Sequence, residues 1–346
     1  MTYIDTRIKN SVFVRIFLFF TFVAMQAQDV QFTQFYASNL FTNPAFAGST
    51  HMGRLISHSR YQWPNLEAKY YTTLASFDFF SNKYNSGFGV YGFQDYQGKK
   101  NISSSELALM YSYELAINEK YTLRWGLQGS YVSRYINYSL LNFPDQFSND
   151  GPLDKSTQEP FGGDRLSYKD INTGLVLYDK RFWASLAVSH LNRPNQSFYG
   201  KESRLPIKYL LATGYKLKLR TKTVLNKFSY NEYIVPSINY KFQGKSDQLD
   251  IGVYYLRGQL IGGAWFRGLP LVKQYDSHTL NTESFAVLLG LKLNDFSVSY
   301  SYDFVVSKLT NARPFGAHEL NIVYLFPFPK KNKKVRRVLP CPDFQR

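Results

Sequence analysis

Histidine is the side chain best suited to bind a metal or transfer a proton at neutral pH, and this chain has five. They are scattered, without an HExxH motif or another spacing typical of a metal site. His51 and His58 are seven residues apart, so we expect them to point to opposite faces of a strand. Gly262-Gly263 lies in a predicted strand with no helix after it, unlike the glycines of a phosphate-binding loop. We therefore predict no catalytic residue, no metal and no cofactor.

The N-terminus has the organisation of a secretory signal peptide. Arg7 and Lys9 precede an apolar run over 16–25, and the small and polar residues after it predict cleavage behind Ala27. The run is shorter than the roughly 20 residues that a transmembrane helix needs. Residues 1–27 are thus a predicted signal peptide, and we expect the exported chain to cross a membrane with strands.

A basic tail ends the chain over residues 327–346. Such a run can bind nucleic acid, an anionic leaflet or a periplasmic partner, or can remain a solvated, disordered tail. Because export removes the chain from nucleic acid, we favour an anionic leaflet or a periplasmic partner over nucleic acid. The candidate contact residues are Lys330, Lys331, Lys333, Lys334, Arg336 and Arg337. Cys341 is the single cysteine, so it cannot form an intrachain disulfide.

Residues 51–326 repeat a pattern of period two. Segments of roughly ten residues alternate apolar or aromatic with polar side chains between turn residues, which is typical of a transmembrane barrel. In the clearest segment, 296–304, the even positions are apolar or aromatic and the odd ones polar. The fold class is therefore all-β: a transmembrane antiparallel β-barrel of about 14 strands in the bacterial outer membrane. The predicted strands are 52–62, 69–80, 86–95, 103–116, 121–135, 168–179, 181–190, 205–218, 231–242, 247–257, 259–267, 284–293, 295–305 and 316–326.

The connections between these strands alternate in length, as short periplasmic turns and long outer loops do. One departs from the rule, because 219–230 should be periplasmic and yet is long and basic. Either the eighth strand continues into it or the turn has a role of its own. The short turns are 81–85, 118–120, 179–181, 256–258 and 293–295, and the long loops are 136–167, 191–204, 268–283 and 308–314.

Charges on the polar face of the strands favour a barrel over a soluble sandwich, whose polar face meets water. Glu114 and Arg124 share that face of one predicted hairpin and either pair or stay separately hydrated. Val298 should face lipid and Ser299 the lumen. We expect Val298→Arg to cost about 2–4 kcal/mol near the midplane and Ser299→Arg to be milder.

The segment that follows the predicted cleavage site carries the most specific motif. It reads Gln-Asp-Val-Gln-Phe-Thr-Gln-Phe-Tyr from residue 28 and Asn-Pro-Ala-Phe-Ala-Gly from residue 43. Together with Tyr61-Gln62-Trp63, it resembles the opening of the PorP/SprF family of type IX secretion system membrane proteins of Bacteroidetes. The motif residues are Gln28, Asp29, Gln31, Phe32, Gln34, Phe35, Asn43, Pro44, Ala45, Phe46, Ala47 and Gly48.

The aromatic residues of this segment favour burial, so we predict that residues 28–50 fold into or across the periplasmic mouth of the barrel and plug its lumen. The alternative is a lead-in packed outside the first strand. The resemblance implies that the barrel binds, anchors or assists export of a secreted adhesin-like protein through that cargo's C-terminal sorting domain, as in gliding motility. It also implies periplasmic type IX components as partners, besides outer-membrane lipid. The other functions considered are a passive channel for hydrophobic or small nutrients and an outer-membrane hydrolase.

Overall fold

The computed structural model describes residues 29–35, 37–98, 101–148, 151–152, 156–200, 202–224, 228–244, 246–268, 284–306, 315–328 and 339. Asp29 and Val30 belong to a unit separate from Gln31–Arg346, and the second unit is the one described below. Gln28 and all six candidate basic residues of the tail lie outside the described residues.

The described strands are β1 (Gly53–Gln62), β2 (Tyr70–Ser81), β3 (Ser86–Gln97), β4 (Ile102–Ala116), β5 (Thr122–Ile136), β6 (Phe147–Ser148), β7 (Gly151–Pro152), β8 (Arg165–Tyr178), β9 (Phe182–Ser189), β10 (Lys208–Tyr215), β11 (Leu217–Val224), β12 (Phe228–Gln243), β13 (Ser246–Arg257), β14 (Leu260–Arg267), β15 (Ser284–Leu293), β16 (Phe296–Val305) and β17 (Ala317–Phe326). A one-turn helix, α1 (Asn39–Thr42), and 3-10 turns at Pro44–Phe46, Tyr138–Leu140 and Pro144–Gln146 complete the elements. No helix in the described ranges has the length and apolarity to cross a bilayer.

All strands except the small β6–β7 hairpin form one antiparallel sheet of neighbours in chain order. The sheet closes because β1 pairs with β17 over its full length, from Gly53↔Phe326 to Gln62↔Ala317. Both β10 and β11 pair with β12, so they form one wall strand interrupted at Lys216. This confirms the predicted closed antiparallel barrel of 14 strands.

The irregular connection 219–230 is largely strand. The alternation slips between Lys218 and Arg220, where β11 and β12 change register. Such a bulge inserts an extra residue and reverses the parity of the residues beyond it. A search for period two therefore ends the strand at the bulge, although pairing continues to Val224↔Phe228. Residues 225–227, between β11 and β12, lie outside the described residues.

The two faces of the wall alternate as predicted. On β16, Phe296, Tyr300 and Phe304 are exposed, whereas Ser299 and Asp303 are buried inside. Exposed apolar residues on the outer face of a transmembrane barrel contact acyl chains rather than water. The core of this protein is thus the lumen.

Aromatic residues form a girdle at each end of the outer face. At the end where β1 begins, Phe79 lies 5.5 Å from Phe88 and 5.1 Å from Phe328 between ring centroids. At the other end, Trp63 lies 5.4 Å from Tyr70. Such girdles mark the two membrane–water interfaces.

The lengths of the connections orient the barrel. Six connections join strand ends at the end where β1 begins and β17 ends, and all are short: 82–85, 117–121, 179–181, 225–227, 258–259 and 294–295. All of the long connections, 137–164, 190–207, 268–283 and 306–316, join strand ends at the opposite end, together with the short 98–101 and 244–245. By the rule of short periplasmic turns, the first end faces the periplasm.

Candidate functional site

Residues 31–52 run through the inside of the barrel. At one end, Lys241 of β12 donates a hydrogen bond to Gln31 (2.6 Å), near the extracellular end of that strand. At the other end, the backbone N–H of Gly48 donates to Asp78 (2.7 Å), near the periplasmic end of β2. The segment thus descends the lumen from its extracellular half, instead of crossing only the periplasmic mouth. We call residues 31–52 the lumenal segment.

In the extracellular half, two wall carboxylates hold the start of the lumenal segment. The backbone N–H groups of Thr33 and Gln34 donate to Glu319 at 2.6 and 2.9 Å. The Thr33 hydroxyl donates to Asp303 at 2.6 Å. Arg60 donates to both carboxylates, at 3.0 Å to Asp303 and also to Glu319. All of these residues are buried, so each carboxylate is stabilised by both a wall cation and the segment.

Midway through the lumen, a buried histidine joins the segment to the wall. The Ser38 hydroxyl contacts Nδ1 of His58, whose Nε2 lies 3.2 Å from Glu319. The Phe32 ring lies 4.2 Å from the imidazole. Gln34 bonds to Ser299 at 2.6 Å. The wall residues here are polar, and the segment supplies their hydrogen-bond partners.

In the periplasmic half, Arg124 holds the Ala-Phe-Ala stretch of the segment. Its guanidinium donates to the carbonyl oxygens of Ala45 (2.9 Å) and Ala47, and to Glu114 (2.5 Å). Glu114 and Arg124 are directly opposite each other in the β4–β5 register, so the pair expected as one alternative is formed. Ser112 also donates to Ala47 (2.7 Å). The wall therefore binds backbone carbonyls, which a segment of any sequence has. The binding requires that the backbone of the segment come within hydrogen-bond distance of the wall.

Asn43-Pro44 makes the bend that brings these carbonyls to the wall. Asn43 is extended, as a residue before proline must be, and the 3-10 turn starts at Pro44. The Asn43 amide donates to the carbonyls of Leu175 (3.2 Å) and Leu186 (3.1 Å), and its oxygen accepts from Ala45 N–H (2.9 Å). The side chain thus caps the turn and fixes it to β8 and β9.

Wall glycines permit the close approach. A Cβ built on Gly126 would lie 2.3 Å from the Ala45 nitrogen, and one on Gly87 would lie 1.9 Å from the Ala47 oxygen. Gly48 has φ +67°, a backbone conformation that glycine adopts without strain. These three positions require glycine because backbone passes against backbone.

A buried apolar cluster joins the segment to the inner face of the wall. Phe35 lies edge-on to Trp265 with ring centroids 5.0 Å apart, and Phe46 lies 6.5 Å from Trp183. Leu339, the one tail residue within the described ranges beyond 328, belongs to the same buried cluster.

The predicted motif residues that lie in the lumenal segment are therefore brought together. Phe32, Gln34, Phe35, Asn43 and the run 44–48 are all buried against the wall, and Gln31 is half-buried. Sequence reasoning did not assign a role to the wall partners of the segment. Their signal was a charged residue on the polar face of a predicted strand, and they are Arg54, Arg60, Asp78, Asp303 and Glu319.

The long extracellular loops present a second candidate surface. In loop 137–164, the Tyr138 and Phe161 rings stack at 4.6 Å, and Phe143 lies 5.1 Å from Phe161. Asp145 braces the loop by accepting from the Thr157 hydroxyl at 2.8 Å. Phe161 is exposed, whereas Tyr138 and Phe143 are half-buried beside it. Aromatic residues held in a defined loop are typical of interaction surfaces.

This loop packs against loop 190–207. The N–H of Gly163 donates to the carbonyl of Phe198 (3.1 Å). Loop 190–207 also contacts the wall, because Arg134 near the end of β5 donates to Gln196 (2.9 Å). Tyr199, which is 58% exposed, stands next to this junction. We call Tyr138, Phe143, Phe161 and Tyr199 the aromatic loop surface.

No group of three metal-binding side chains occurs among the described residues. The closed sheet, its exposed apolar belt and its occupied lumen define an outer-membrane β-barrel. The chain matches the family model described as type IX secretion system membrane protein PorP/SprF over residues 24–324. The protein belongs to this family, which confirms the resemblance seen at its N-terminus.

Three solved structures are similar to this chain at low sequence identity. The Acinetobacter baumannii outer membrane protein Omp33 is 9% identical with a TM-score of 0.43, over 81% of this chain and 100% of its own. The Ralstonia pickettii toluene transporter TbuX is 11% identical with a TM-score of 0.47, over 84% and 94%. A Pseudomonas aeruginosa FadL homologue is 11% identical with a TM-score of 0.42, over 84% and 94%. Likenesses this low carry no functional argument. No curated protein matches the chain.

Proposed function

We propose that this barrel is a non-enzymatic partner of type IX secretion that binds a secreted, adhesin-like cargo through its C-terminal sorting domain. The observation that carries the proposal is membership of the PorP/SprF family over most of the chain. The cell exports the barrel with a signal peptide that is cleaved behind Ala27. In a gliding member of the Bacteroidetes, the cargo would be anchored or exported at the outer surface.

The occupied lumen favours binding over passive diffusion. Residues 31–52 hydrogen-bond to the wall from β2 to β17 and are almost entirely buried, so a solute would have to displace them to pass. Breaking a buried hydrogen bond to a charged group costs about 1.5–3 kcal/mol. The lumenal segment therefore acts as a plug in this proposal, and the passive channel is the alternative that conductance tests.

The aromatic loop surface is the proposed contact for the cargo. Phe161 and Tyr199 are exposed, and the contacts that brace the loop lower the entropy cost of ordering it on binding. The basic tail, with the six residues from Lys330 to Arg337, is proposed to contact a periplasmic component of the secretion system.

A direct binding measurement tests this. Purified full-length protein in detergent is titrated with a purified C-terminal sorting domain from a type IX cargo of the same organism. We expect saturable binding that Phe161→Ala with Tyr199→Ala weakens about tenfold or more, because aromatic anchors typically contribute over about 1 kcal/mol each. Phe304→Ala, which removes an exposed ring from the lipid-facing wall, is the matched control and should leave binding unchanged.

The proposal fails if no sorting domain of the organism binds the intact protein. It also fails in its assignment of the surface if Phe304→Ala weakens binding as much as the loop variant does.

A further inference from the structure

Three cations surround one carboxylate on the outer face of the barrel. Glu232 shares the parity of Pro236 and Ile238, which are exposed on that face. Arg220 Nε lies 2.6 Å from the Glu232 carboxylate, Arg257 Nε 3.6 Å and Lys222 Nζ 3.7 Å. We call Arg220, Lys222, Arg257 and Glu232 the outer cationic cluster.

The cluster presents positive charge outward. The Glu232 side chain is only 1% exposed beneath its partners, whereas those of Arg220 and Arg257 are 59% and 47% exposed. One carboxylate cannot neutralise three cations, so an excess of positive charge faces the membrane side of the wall. Unneutralised charge at a lipid-facing surface is costly and, where it occurs, marks a partner.

The position of the cluster matches the periplasmic leaflet. Arg257 is the last residue of β13 and pairs with Leu260, the first residue of β14, across the periplasmic turn 258–259. Arg257 also donates to the Tyr230 hydroxyl (3.1 Å). A guanidinium and a phenol at the strand ends lie at the depth of lipid headgroups.

An apolar groove leads from the cluster toward the membrane core. It has a volume of about 580 Å3 and starts at Tyr255 and Arg257. Leu289, Leu291 and Leu320 line it, and all three are exposed on the outer face. Its floor includes Gly262, where an added Cβ would meet no atom within 4 Å. The groove is therefore a dent in the wall, continuous with the cationic cluster.

We propose that this surface binds one anionic phospholipid of the periplasmic leaflet, with its phosphate on the outer cationic cluster and an acyl chain in the groove. Arginine suits the role because its guanidinium binds phosphate oxygens in a bidentate manner. The acyl chain contributes packing against the dent rather than a hydrophobic gain, since the bilayer is equally apolar. The inference does not depend on the cargo proposal.

Native mass spectrometry and thermal unfolding of the full-length protein test it, with phosphatidylglycerol and phosphatidylethanolamine as probes. We expect phosphatidylglycerol to bind preferentially and to raise the unfolding temperature. Arg220→Gln with Arg257→Gln should weaken phosphatidylglycerol binding about tenfold, since both substitutions remove a partly hydrated interfacial cation that attracts the anionic lipid. Lys83→Gln with Lys120→Gln removes the same charge from other periplasmic turns and is the matched control.

A second pair of variants tests the groove without touching any charge. Gly262→Leu fills the dent, whereas Gly129→Leu adds the same side chain to another open position, on β5. We expect only Gly262→Leu to weaken the bound lipid. The proposal is overturned if the two lipids bind equally, or if both charge variants lose phosphatidylglycerol alike. It is also overturned if Gly262→Leu has no effect. The groove would then not hold an acyl chain, and the cationic cluster would bind a soluble phosphate compound as well as a lipid.

Discussion

The inner and outer faces of the wall differ in what holds them. On the inner face, buried charges such as Arg124 and Glu319 depend on specific partners, and many of those partners belong to the lumenal segment. On the outer face, exposed apolar side chains such as Leu289 depend on lipid, which adapts to any shape. Changes to the inner face should therefore be costly wherever they remove a partner. The cost of a substitution on the outer face should depend only on the polarity of the new side chain and on its depth in the bilayer.

Removing the lumenal segment should break this contrast most strongly. Deletion of residues 31–48 takes away the partners of the wall carboxylates and of Arg124, so water must replace them. We expect a large rise in single-channel conductance in a planar bilayer, from a closed barrel to an open one. Unchanged conductance in a folded deletion variant contradicts the plug.

A labelling experiment on the full-length chain covers the case in which the deletion variant does not fold. With Cys341→Ser as background, Ser301→Cys lies buried beside Gln34 and should resist a water-soluble maleimide. Glu159→Cys on an exposed loop should react fast. Equal labelling of the two positions would show that the lumen is open.

Arg124→Met is the next largest effect that we expect. The substitution removes the donor of the Ala45 carbonyl, one of the two donors of the Ala47 carbonyl, and the buried guanidinium that pairs with Glu114 inside the barrel. Breaking a buried pair on one side costs about 3–5 kcal/mol. Urea unfolding in vesicles measures it, with Arg165→Met as control, because Arg165 is exposed and should change stability by less than about 0.5 kcal/mol. A similar cost for both arginines would mean that burial is not what matters.

The pair Val298→Arg and Ser299→Arg reverses the order expected from sequence. Val298 is the third residue of β16, near the periplasmic interface, where an outward Arg costs about 1 kcal/mol rather than the midplane value. Ser299 is 3% exposed and bonded to Gln34, so an Arg there meets a filled lumen and not a hydrated one. We expect it to cost about 3 kcal/mol, from overpacking and an unpaired charge. The larger loss of folding yield should belong to Ser299→Arg, and the opposite order would support a hydrated lumen.

The smallest expected effect is the difference between two glycine substitutions on opposite faces of β5. Gly126→Ala puts a methyl group against the backbone of Ala45, whereas Gly129→Ala points to open space on the outer face. Overpacking costs about 1–3 kcal/mol at the first position. At the second, replacing glycine in a strand should be neutral or slightly stabilising. Thermal unfolding of the two variants measures the difference, and equal stability would argue against close contact at Gly126.

The strands of the barrel wall could be predicted from the sequence alone. A strand with lipid on one side and a polar lumen on the other must alternate apolar with polar side chains. Sequence analysis located the ends of most strands to within a few residues. At the bulge near Lys218, where alternation itself is interrupted, it left open whether the strand continues, and the pairing does continue to Val224↔Phe228. It also placed Glu114 and Arg124 on one face of a hairpin, since that contact is local. It did not predict that Arg124 binds Ala45 and Ala47. Backbone carbonyls have no signature in a sequence, and nothing local relates residues so far apart along the chain.

The same long-range bonds constrain the order of assembly. Thr33 and Asp303 are 270 residues apart, and the strand that carries Glu319 is the one that closes the sheet against β1. The first polar groups of the lumenal segment therefore form their hydrogen bonds to the wall only after the last strands of the chain are in place. Such contacts of high sequence separation form slowly. We expect the pairing of β1 with β17 and the insertion of the lumenal segment to occur in one kinetic step. A chain that lacks its last strands would then have neither a closed barrel nor a bound lumenal segment.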